Sequence, residues 1–409
     1  MKKRWSRLAA VVAALAALSV LPTIAGPASA AEPEGTPIKI GFVGTQTGAT
    51  LGQASTQVAD AMDAWVKYTN ANGGVNGHPL KLFIKDDKGD PAVGRAAVKD
   101  LVENDGVVAI VGSAAGITQQ TWADYVLEKR IPIVDGSLID ALWFTNPMFY
   151  PIGTTVISGI WGQMKAAQLS GAKSAGVVLC TEVAACAQAV PLFKSDAEAV
   201  GIPLVYSALA SQTQASYTAE CLEAKKSGAE SMAAFINAIV FSRDCARQGY
   251  KPTYISSASG PGRATIKQAP ELGNSVGSET HWPCVADTPP GPIKEFNAAM
   301  KKYGHGQWVK GGAKYDQLNS ATCTTWVGGE AFKKAIENAD VAATATATSE
   351  DVIKGLSMFK DETLGGMAPK ITLSDGTKPN PVQKCMWLYK WKGTQYSFLL
   401  KNGSLTCEP

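Results

Sequence analysis

A glycine-spaced loop follows the first apolar segment of the chain, and its composition could suit a phosphate group. The segment IKIGFVGTQTGATLG (38–52) contains four glycines, which are Gly41, Gly44, Gly48 and Gly52. A dinucleotide-binding turn has the spacing G-x-G-x-x-G, and a nucleotide P-loop ends in Gly-Lys followed by Ser or Thr. Neither pattern occurs here. The glycines still let the backbone approach a ligand, so the segment predicts a binding edge for something other than phosphate.

The sequence gives little indication of a hydrolase active site. Ser170–Lys173 matches S-x-x-K, but a glycine lies inside the motif and no partner motif follows it. Only three histidines occur in the sequence, which are His78, His281 and His305. A histidine-based triad is therefore disfavoured. We predict that the protein is not an enzyme and has no catalytic residues, with a secreted hydrolase as a minor alternative.

Metal binding is also disfavoured. The stretch DDKGD (86–90) resembles the start of a calcium loop but lacks the later ligand positions, so it predicts a solvated strand end and a helix cap. The sequence contains no C-x-x-C motif, and its histidines are not spaced for zinc. We expect neither a metal site nor a cofactor.

Eight cysteines suggest a disulfide framework instead. They lie at 180, 186, 221, 245, 284, 323, 385 and 407. An even number of cysteines in a secreted chain is typical of disulfides, although the sequence alone leaves many connectivities open. We expect pairing between neighbours in the sequence: Cys180–Cys186, Cys221–Cys245, Cys284–Cys323 and Cys385–Cys407.

The first thirty residues have the organisation of a secretion signal. Lys2, Lys3, Arg4 and Arg7 precede the apolar run LAAVVAALAALSVL, and the small residues Ala28–Ala30 follow. We expect cleavage after about Ala30 and a periplasmic or extracellular location. Without these four positive charges the chain, at +3 overall, is close to neutral, which argues against nucleic-acid binding.

The remaining chain alternates strand and helix signals. An apolar strand is predicted to begin at Ile38, and others are predicted at 79–84, 107–112 and 131–134, with amphipathic helices between them. The same rhythm restarts with strands at 174–180, 202–207 and 231–238. This pattern predicts parallel sheets covered by helices on both faces, arranged in two similar α/β lobes, the second beginning near Thr155. Helices near 292–303 and 315–338 follow, and then the β-type segments PKITL and CMWLYKW.

Five motifs in this order resemble one known family. They are IKIGFVGTQTGATLG, NANGGVNGHPLKLFIKDD, GDPAVGRAAVKDLV, VVAIVGSAAG and YKPTYISSASG. Together they resemble the leucine/isoleucine/valine-binding protein family, which comprises type I periplasmic solute-binding proteins of ABC transporters, over about residues 37–395. The resemblance implies two doubly wound Rossmann-like lobes joined by a three-strand hinge. It also implies a monomer that closes on a small-molecule solute and delivers it to an ABC permease.

The resemblance also implies how the chain is divided. After a signal peptide (1–30), lobe I would comprise 31–154 and 286–357, and lobe II would comprise 155–285 and 358–409. The crossovers are expected near 150–156, 280–287 and 355–365. A Cys284–Cys323 bridge would then join the second crossover to a lobe I helix.

Three loops of lobe I match the ligand-binding positions of the family. The residues concerned are Gln46, Thr47 and Gly48; Ser113, Gly116, Ile117 and Thr118; and Gly136 and Ser137. In this family a hydroxyl at the second loop often binds the ligand carboxylate, and a helix start there supplies free N–H groups. Ser113 and Thr118 could instead only cap that helix. Asp135 and Asp140 could be turn and cap residues. Trp143 and Phe144 could form an apolar wall of the site or pack under the crossover, and we favour packing.

Lobe II departs from the family. Its candidates are Glu182, Val183, Asn237 and Ser259, and Tyr315 and Gln317 could border the cleft from lobe I. The position that carries an ammonium-binding acid in the family aligns with Ser259, whose neutral hydroxyl does not balance a buried charge. We therefore favour a small carboxylate or apolar solute over an amino acid. A ligand-sensing domain with a regulatory partner is the alternative function.

Overall fold

The computed structural model describes residues 33–48, 56–182, 184–258 and 260–409. The predicted signal peptide, Gly52, Val183 and Ser259 lie outside the described residues. In the part of the chain that the structure describes, no helix has the length and apolar character needed to cross a membrane.

The first sheet is parallel and has the strand order β2-β1-β3-β4-β5. Its core is made by apolar strands between amphipathic helices, as the sequence predicts. Its elements are β1 (Ile38–Gly44), α1 (Thr56–Ala71), β2 (Leu80–Asp86), α2 (Pro91–Asp100), β3 (Ala109–Ser113), α3 (Ala123–Lys129), β4 (Ile133–Gly136), α4 (Leu142–Thr145) and β5 (Phe149–Tyr150).

The second sheet begins with a parallel part, in which the strand order is β10-β9-β8-β6-β7. Its elements are α5 (Ile160–Leu169), β6 (Ala175–Cys180), α6 (Ala184–Ala199), β7 (Leu204–Ala210), α7 (Thr218–Lys226), β8 (Ser231–Ala234), α8 (Ala238–Arg247), β9 (Thr253–Ser257), α9 (Gly262–Gln268) and β10 (Ser275–Glu279).

The last part of the chain serves both sheets. Its elements are α10 (Ile293–Lys302), α11 (Ser320–Ala339), α12 (Ser349–Ser357), β11 (Cys385–Lys392), β12 (Gln395–Phe398) and β13 (Leu405–Cys407). The strands extend the second sheet in antiparallel fashion. Helix α11 covers the first sheet, where Thr325 donates a hydrogen bond to the Gly112 carbonyl at 2.9 Å. The doubly wound two-lobe fold is confirmed.

Three crossing segments meet between the sheets. The Thr154 N–H donates to the Thr280 carbonyl at 3.0 Å, and the Thr154 hydroxyl donates to the Cys385 carbonyl at 2.6 Å. The third crossing therefore lies near Cys385, whereas the prediction put it at 355–365. Residues up to Asn380 still contact the first sheet, because the Asn380 amide donates to the Phe149 carbonyl at 2.9 Å. We propose that 358–380 belong to lobe I; the other lobe boundaries stay a prediction.

All four predicted cysteine pairs are bonded in the structure. Cys284–Cys323 joins the second crossing segment to the first turn of α11, and Cys385–Cys407 joins the third one to β13. Covalent bonds thus fasten two of the three crossing segments to neighbouring elements.

Candidate functional site

The loop after β1 is held by a carboxylate at the end of the neighbouring strand. Asp86 accepts hydrogen bonds from the N–H groups of Gln46 and Thr47, at 2.9 and 3.3 Å, and from the Thr47 hydroxyl. Burial raises the pKa of Asp86, but these bonds and one from the Lys88 N–H outweigh it and leave the pKa lowered. The carboxylate therefore stays ionised and fixes the backbone of this loop.

Gly48 packs closely against the end of the same strand, where a larger residue would not fit. It has a φ of +98°, and a Cβ there would lie 2.5 Å from the Lys88 carbonyl oxygen. The glycine spacing in this loop thus serves a close backbone approach within the lobe. The Gln46 side chain is half-buried, and Thr47 and Gly48 are exposed.

The next residue, Asp87, is fully buried and joins two loops. It accepts hydrogen bonds from the hydroxyls of Thr45 and Thr118, at 2.6 and 2.7 Å, and from the Gly89 N–H at 2.9 Å. Thr118 is itself 0% exposed. Its hydroxyl donates to Asp87, so we infer that Thr118 helps to position the loop, while its predicted ligand contact stays a prediction. The expectation that DDKGD is solvated is wrong for Asp87, while Asp90 does cap α2.

Ser113 ends β3 with a buried hydroxyl. It is 2% exposed, and its Oγ has no hydrogen-bond partner within the described chain. Gly136, its neighbour in the parallel register, allows this placement, because a Cβ at Gly136 would lie 2.5 Å from the Ser113 Oγ. Buried hydroxyls without a partner are uncommon, so Ser113 is a strong candidate for a ligand contact.

The loop after Ser113 presents backbone N–H groups next to exposed apolar side chains. No hydrogen bond engages the N–H groups of Gly116 and Ile117 within the described chain. Ile117 is 46% exposed and Ile139, from the next loop, is 47% exposed. A Cβ at Gly116 would lie 2.7 Å from the Ile139 Cδ1, so the two loops touch there. This surface can bind an oxygen acceptor beside a hydrocarbon.

The loop after β4 is held by hydrogen bonds within itself and to the loop after β3. Asp140 accepts from the Leu142 N–H at 3.0 Å and from the Gln119 amide at 2.8 Å, which fits its alternative reading as a cap. Trp143 is buried, and its Nε1 donates to the Ser137 carbonyl at 2.8 Å. The Ser137 side chain is half-buried beside Gly116. Gly116, Ser113, Gly136 and Ser137 thus converge.

A buried histidine–aspartate contact lies where this loop meets the second crossing segment. The His281 Nε2 is 3.3 Å from the Asp135 Oδ1, and the His281 Nδ1 is 2.8 Å from the Thr280 Oγ1. Asp135 has a φ of +57° and is fully buried. Asp135 was expected to be a ligand-loop, turn or cap residue, and this contact was not predicted because it depends on a distant crossing segment.

The second-sheet candidates are exposed and share one hydrogen-bond chain. Glu182 accepts from the Ser211 hydroxyl at 2.5 Å and from the Gln212 N–H at 2.8 Å, and these bonds lower its pKa, the Ser211 bond most strongly. The Ser211 carbonyl accepts from the Tyr217 hydroxyl at 2.7 Å. That hydroxyl accepts in turn from the Asn237 N–H at 3.4 Å. The Asn237 side chain caps α8 by accepting from the Val240 N–H.

A cavity of about 280 Å³ lies between the turn after β9 and the short helix Tyr315–Gln317. From the second lobe it is lined by Ala258, Gly260, Pro261, Gly262, Ala264 and Thr265. Asp316, Gln317, Leu318 and Asn319 line it from the first lobe. Gln317 thus borders an interlobe space, as considered from the sequence. The Ser113 loop is not part of this lining.

Two α/β lobes, three crossing segments and polar loops at the carboxyl ends of the strands define a two-lobed solute-binding protein. The family model for periplasmic binding proteins matches residues 37–395. The chain therefore belongs to the periplasmic binding protein family. A family of binding proteins confirms the prediction of a non-enzymatic protein and implies a location outside the cytoplasm, association with an ABC transporter and a small-molecule ligand.

Solved structures with the same fold cover most of the chain. A substrate-binding periplasmic protein from Ralstonia solanacearum has a TM-score of 0.69 and 19% identity, covering 91% of this chain and 100% of that one. A fatty acid ABC transporter substrate-binding protein from Thermomonospora curvata has a TM-score of 0.69 and 16% identity, covering 91% and 93%. An R. palustris solute-binding protein in complex with 4-hydroxybenzoate has a TM-score of 0.67 and 19% identity, covering 91% and 95%. A comparison with curated protein sequences finds no significant match.

Proposed function

We propose that this protein is the solute-binding component of an ABC importer. It acts as a monomer outside the cytoplasm, after removal of residues 1–30, and holds one small organic solute between its lobes. The ligand's preference for the closed form shifts the equilibrium towards closure. A membrane permease then recognises the closed form.

The buried, unpartnered hydroxyl of Ser113 carries the proposal for the ligand class. With the N–H groups of Gly116 and Ile117 it offers hydrogen bonds to a carboxylate. The exposed side chains of Ile117 and Ile139 offer an apolar surface next to it. A carboxylate with an apolar body satisfies both features.

The engaged carboxylates argue against an ammonium group on the ligand. Asp140 accepts from two side-chain amides and a backbone N–H, and Glu182 accepts from Ser211 and a backbone N–H. Asp135 is fully buried 3.3 Å from the His281 Nε2, and its oxygens have no hydrogen-bond partner within the described chain. A buried ammonium ion needs an opposite charge or full hydrogen bonding. A solute without an α-amino group therefore fits better than an amino acid.

Two of the structurally similar proteins add modest support. Their printed descriptions name a fatty acid transporter and a complex with 4-hydroxybenzoate. Both compounds are carboxylic acids with an apolar body and without an amine. At these identities the likeness itself concerns the fold alone.

Thermal unfolding of the mature protein against a ligand panel tests the function. The panel holds branched-chain and polar amino acids, aliphatic and aromatic carboxylates, and the matching amides. A ligand at about 100 times its Kd adds roughly 2.7 kcal/mol to the free energy of unfolding. We expect carboxylates without an amine to raise Tm. A shift with amino acids alone would contradict the proposed class, and no shift with any small solute would contradict solute binding.

The substitution Ser113→Ala tests the site. Because the Ser113 Oγ has no partner, its loss costs the fold little, whereas we expect carboxylate affinity to fall at least several-fold. Ser275→Ala is the matched control: this buried hydroxyl donates to the Leu272 carbonyl at 2.6 Å, away from the loops. The control should lose about 1 kcal/mol of stability and no affinity. Unchanged affinity in Ser113→Ala would remove this residue from the site.

A further inference from the structure

Arg263, on α9 of the second lobe, belongs to a buried cluster of aromatic and charged side chains. It is 7% exposed, and its Cζ is 5.5 Å from the ring centroid of Trp391 on β11. Trp391 packs edge-on against Tyr396, and the Tyr396 hydroxyl donates to buried Glu279 at 3.0 Å. The cluster therefore holds a guanidinium and a carboxyl group together, and a buried cation needs such an acid nearby.

The guanidinium of Arg263 also contacts the second crossing segment. Its Nη2 donates to the Val285 carbonyl at 2.8 Å. The residue before Val285 is Cys284, whose disulfide reaches Cys323 in the first turn of α11. The guanidinium is therefore held in place by its own lobe and by a crossing segment that is itself covalently fastened.

Tyr315 covers this guanidinium from the first lobe. The Arg263 Cζ is 4.5 Å from the ring centroid of Tyr315, which is half-buried. Asn319, four residues further on, caps α11 by accepting from the Thr322 N–H at 3.3 Å. Because α11 covers the first sheet, the ring of Tyr315 moves with the first lobe, and the stack on Arg263 joins the two lobes.

The stack borders the interlobe space. Residues of α9 line one side of the cavity of about 280 Å³, and Gln317, from the same short helix as Tyr315, lines the other. The ion pair of Lys267 with Asp316 joins the same two elements. Contact between α9 and this short helix therefore sets the width of the space between the lobes.

We propose that Arg263 and Tyr315 form a latch that stabilises the arrangement in which the two lobes touch. A guanidinium stacks favourably on an aromatic ring, and the contact is stronger where it is desolvated, as it is around buried Arg263. Tyr315 leaves the guanidinium when the lobes separate, so this stabilisation is lost on opening. The inference depends on the two-lobed fold and not on the class of solute.

Energy transfer between two fluorescent labels tests the latch in the protein without added solute. The labels are attached through non-natural amino acids at Glu128 on α3 and Lys226 on α7, which are exposed positions in different lobes, so that the disulfides stay intact. We expect the wild-type protein to be mainly compact. Tyr315→Leu should lower the ratio of compact to open molecules about tenfold, and Tyr315→Phe, which keeps the ring, should stay within about twofold of wild type.

Tyr303→Leu is the matched control. It removes a ring from a cation–π contact within the first lobe, where the Lys302 Nζ is 5.2 Å from the ring centroid, and should leave the ratio unchanged. An unchanged ratio in Tyr315→Leu, an equal loss in Tyr315→Phe, or a wild-type protein that is mainly open would each overturn the latch. None of these results involves a solute, so the solute-binding function is judged separately by the thermal unfolding panel.

Discussion

The two rims of the cleft are built differently. The first-lobe rim consists of the loops after β1, β3 and β4, and buried side chains hold it in place. Asp87 joins two of these loops by hydrogen bonds, and Gly136 leaves space for the buried Ser113 hydroxyl. The second-lobe rim consists of exposed groups, in which Glu182 is bonded to Ser211 and the strand end carries the Cys180–Cys186 bridge. We infer that the first lobe presents a preformed surface to the solute, and that the second lobe adapts when it closes.

The largest expected effect is that of Asp87→Ala. It removes three hydrogen bonds to a buried carboxylate and leaves the hydroxyl of Thr118 buried without this acceptor. We expect the free energy of unfolding to fall by about 3 kcal/mol, measured by urea denaturation. Glu182→Ala, the exposed counterpart on the second rim, should change it little. Equal losses in the two variants would contradict the difference between the rims.

Gly136→Ala should affect the ligand more than the fold. The new Cβ would lie 2.5 Å from the Ser113 Oγ, and the φ of +150° strains a side chain. We expect at least a tenfold loss of carboxylate affinity by calorimetry and about 1–3 kcal/mol of destabilisation. Gly171→Ala, at a φ of +97° with no atom within 4 Å, should lose stability alone. If both variants keep their affinity, the Ser113 hydroxyl is not a ligand contact.

The contact between α9 and the first lobe should tune closure modestly. Lys267 forms an ion pair with Asp316 across the lobes. Exposed pairs contribute about 0.2–1 kcal/mol, so Lys267→Glu should weaken ligand binding by up to about fivefold. The double variant Lys267→Glu/Asp316→Lys should restore affinity, and added salt should reduce the difference. A double variant as weak as the single one would exclude this ion pair as the cause.

The smallest effect concerns pH. Burial, together with the charge of Glu408, raises the pKa of Asp196 on α6 from 3.8 to about 6. The folded state then holds its proton at a higher pH than the unfolded chain, so stability falls as the pH rises from about 4 to 6. Asp196→Asn should raise the free energy of unfolding at pH 7 by about 1 kcal/mol relative to wild type, after allowance for solvent screening, and should raise Tm accordingly; at pH 4 neither should change.

Asp86 gives the matched case of opposite sign. Its lowered pKa makes its contribution present above about pH 4 and lost as the pH falls further. Asp86→Asn should therefore destabilise the protein more at pH 7 than at pH 3. Parallel pH profiles for the two variants would contradict the assigned charge states.

Local patterns in the sequence were sufficient to predict the fold. Apolar strands between amphipathic helices gave the two sheets, and pairing of neighbouring cysteines gave all four disulfides. The segment PKITL was expected to be β-type, but only Ile371 makes an isolated bridge, with Glu362. Its apolar side chains, Ile371 and Leu373, are buried in the hydrophobic core that contains the strands of the first sheet.

The candidate site was harder to predict, because its decisive contacts join distant residues. Thr118 was predicted as a ligand contact or a helix cap, and the sequence did not indicate that its hydroxyl donates to Asp87, which follows a strand two positions away in the sheet. Arg263 lies in an ordinary helical stretch of the sequence. Its burial becomes evident only when Tyr315, 52 positions further along the chain, packs over it. No local spacing encodes such contacts.

The covering of the first sheet by α11 has a consequence for biogenesis. The Thr325–Gly112 hydrogen bond joins residues 213 positions apart, and the whole parallel part of the second sheet is synthesised between them. A chain that emerges N-terminus first thus exposes one face of β3 and β4 until residue 339 has emerged. Such long-range closure is slow and leaves an aggregation-prone intermediate. Truncation after residue 285 would leave both lobes incomplete, so neither can be produced as a contiguous fragment.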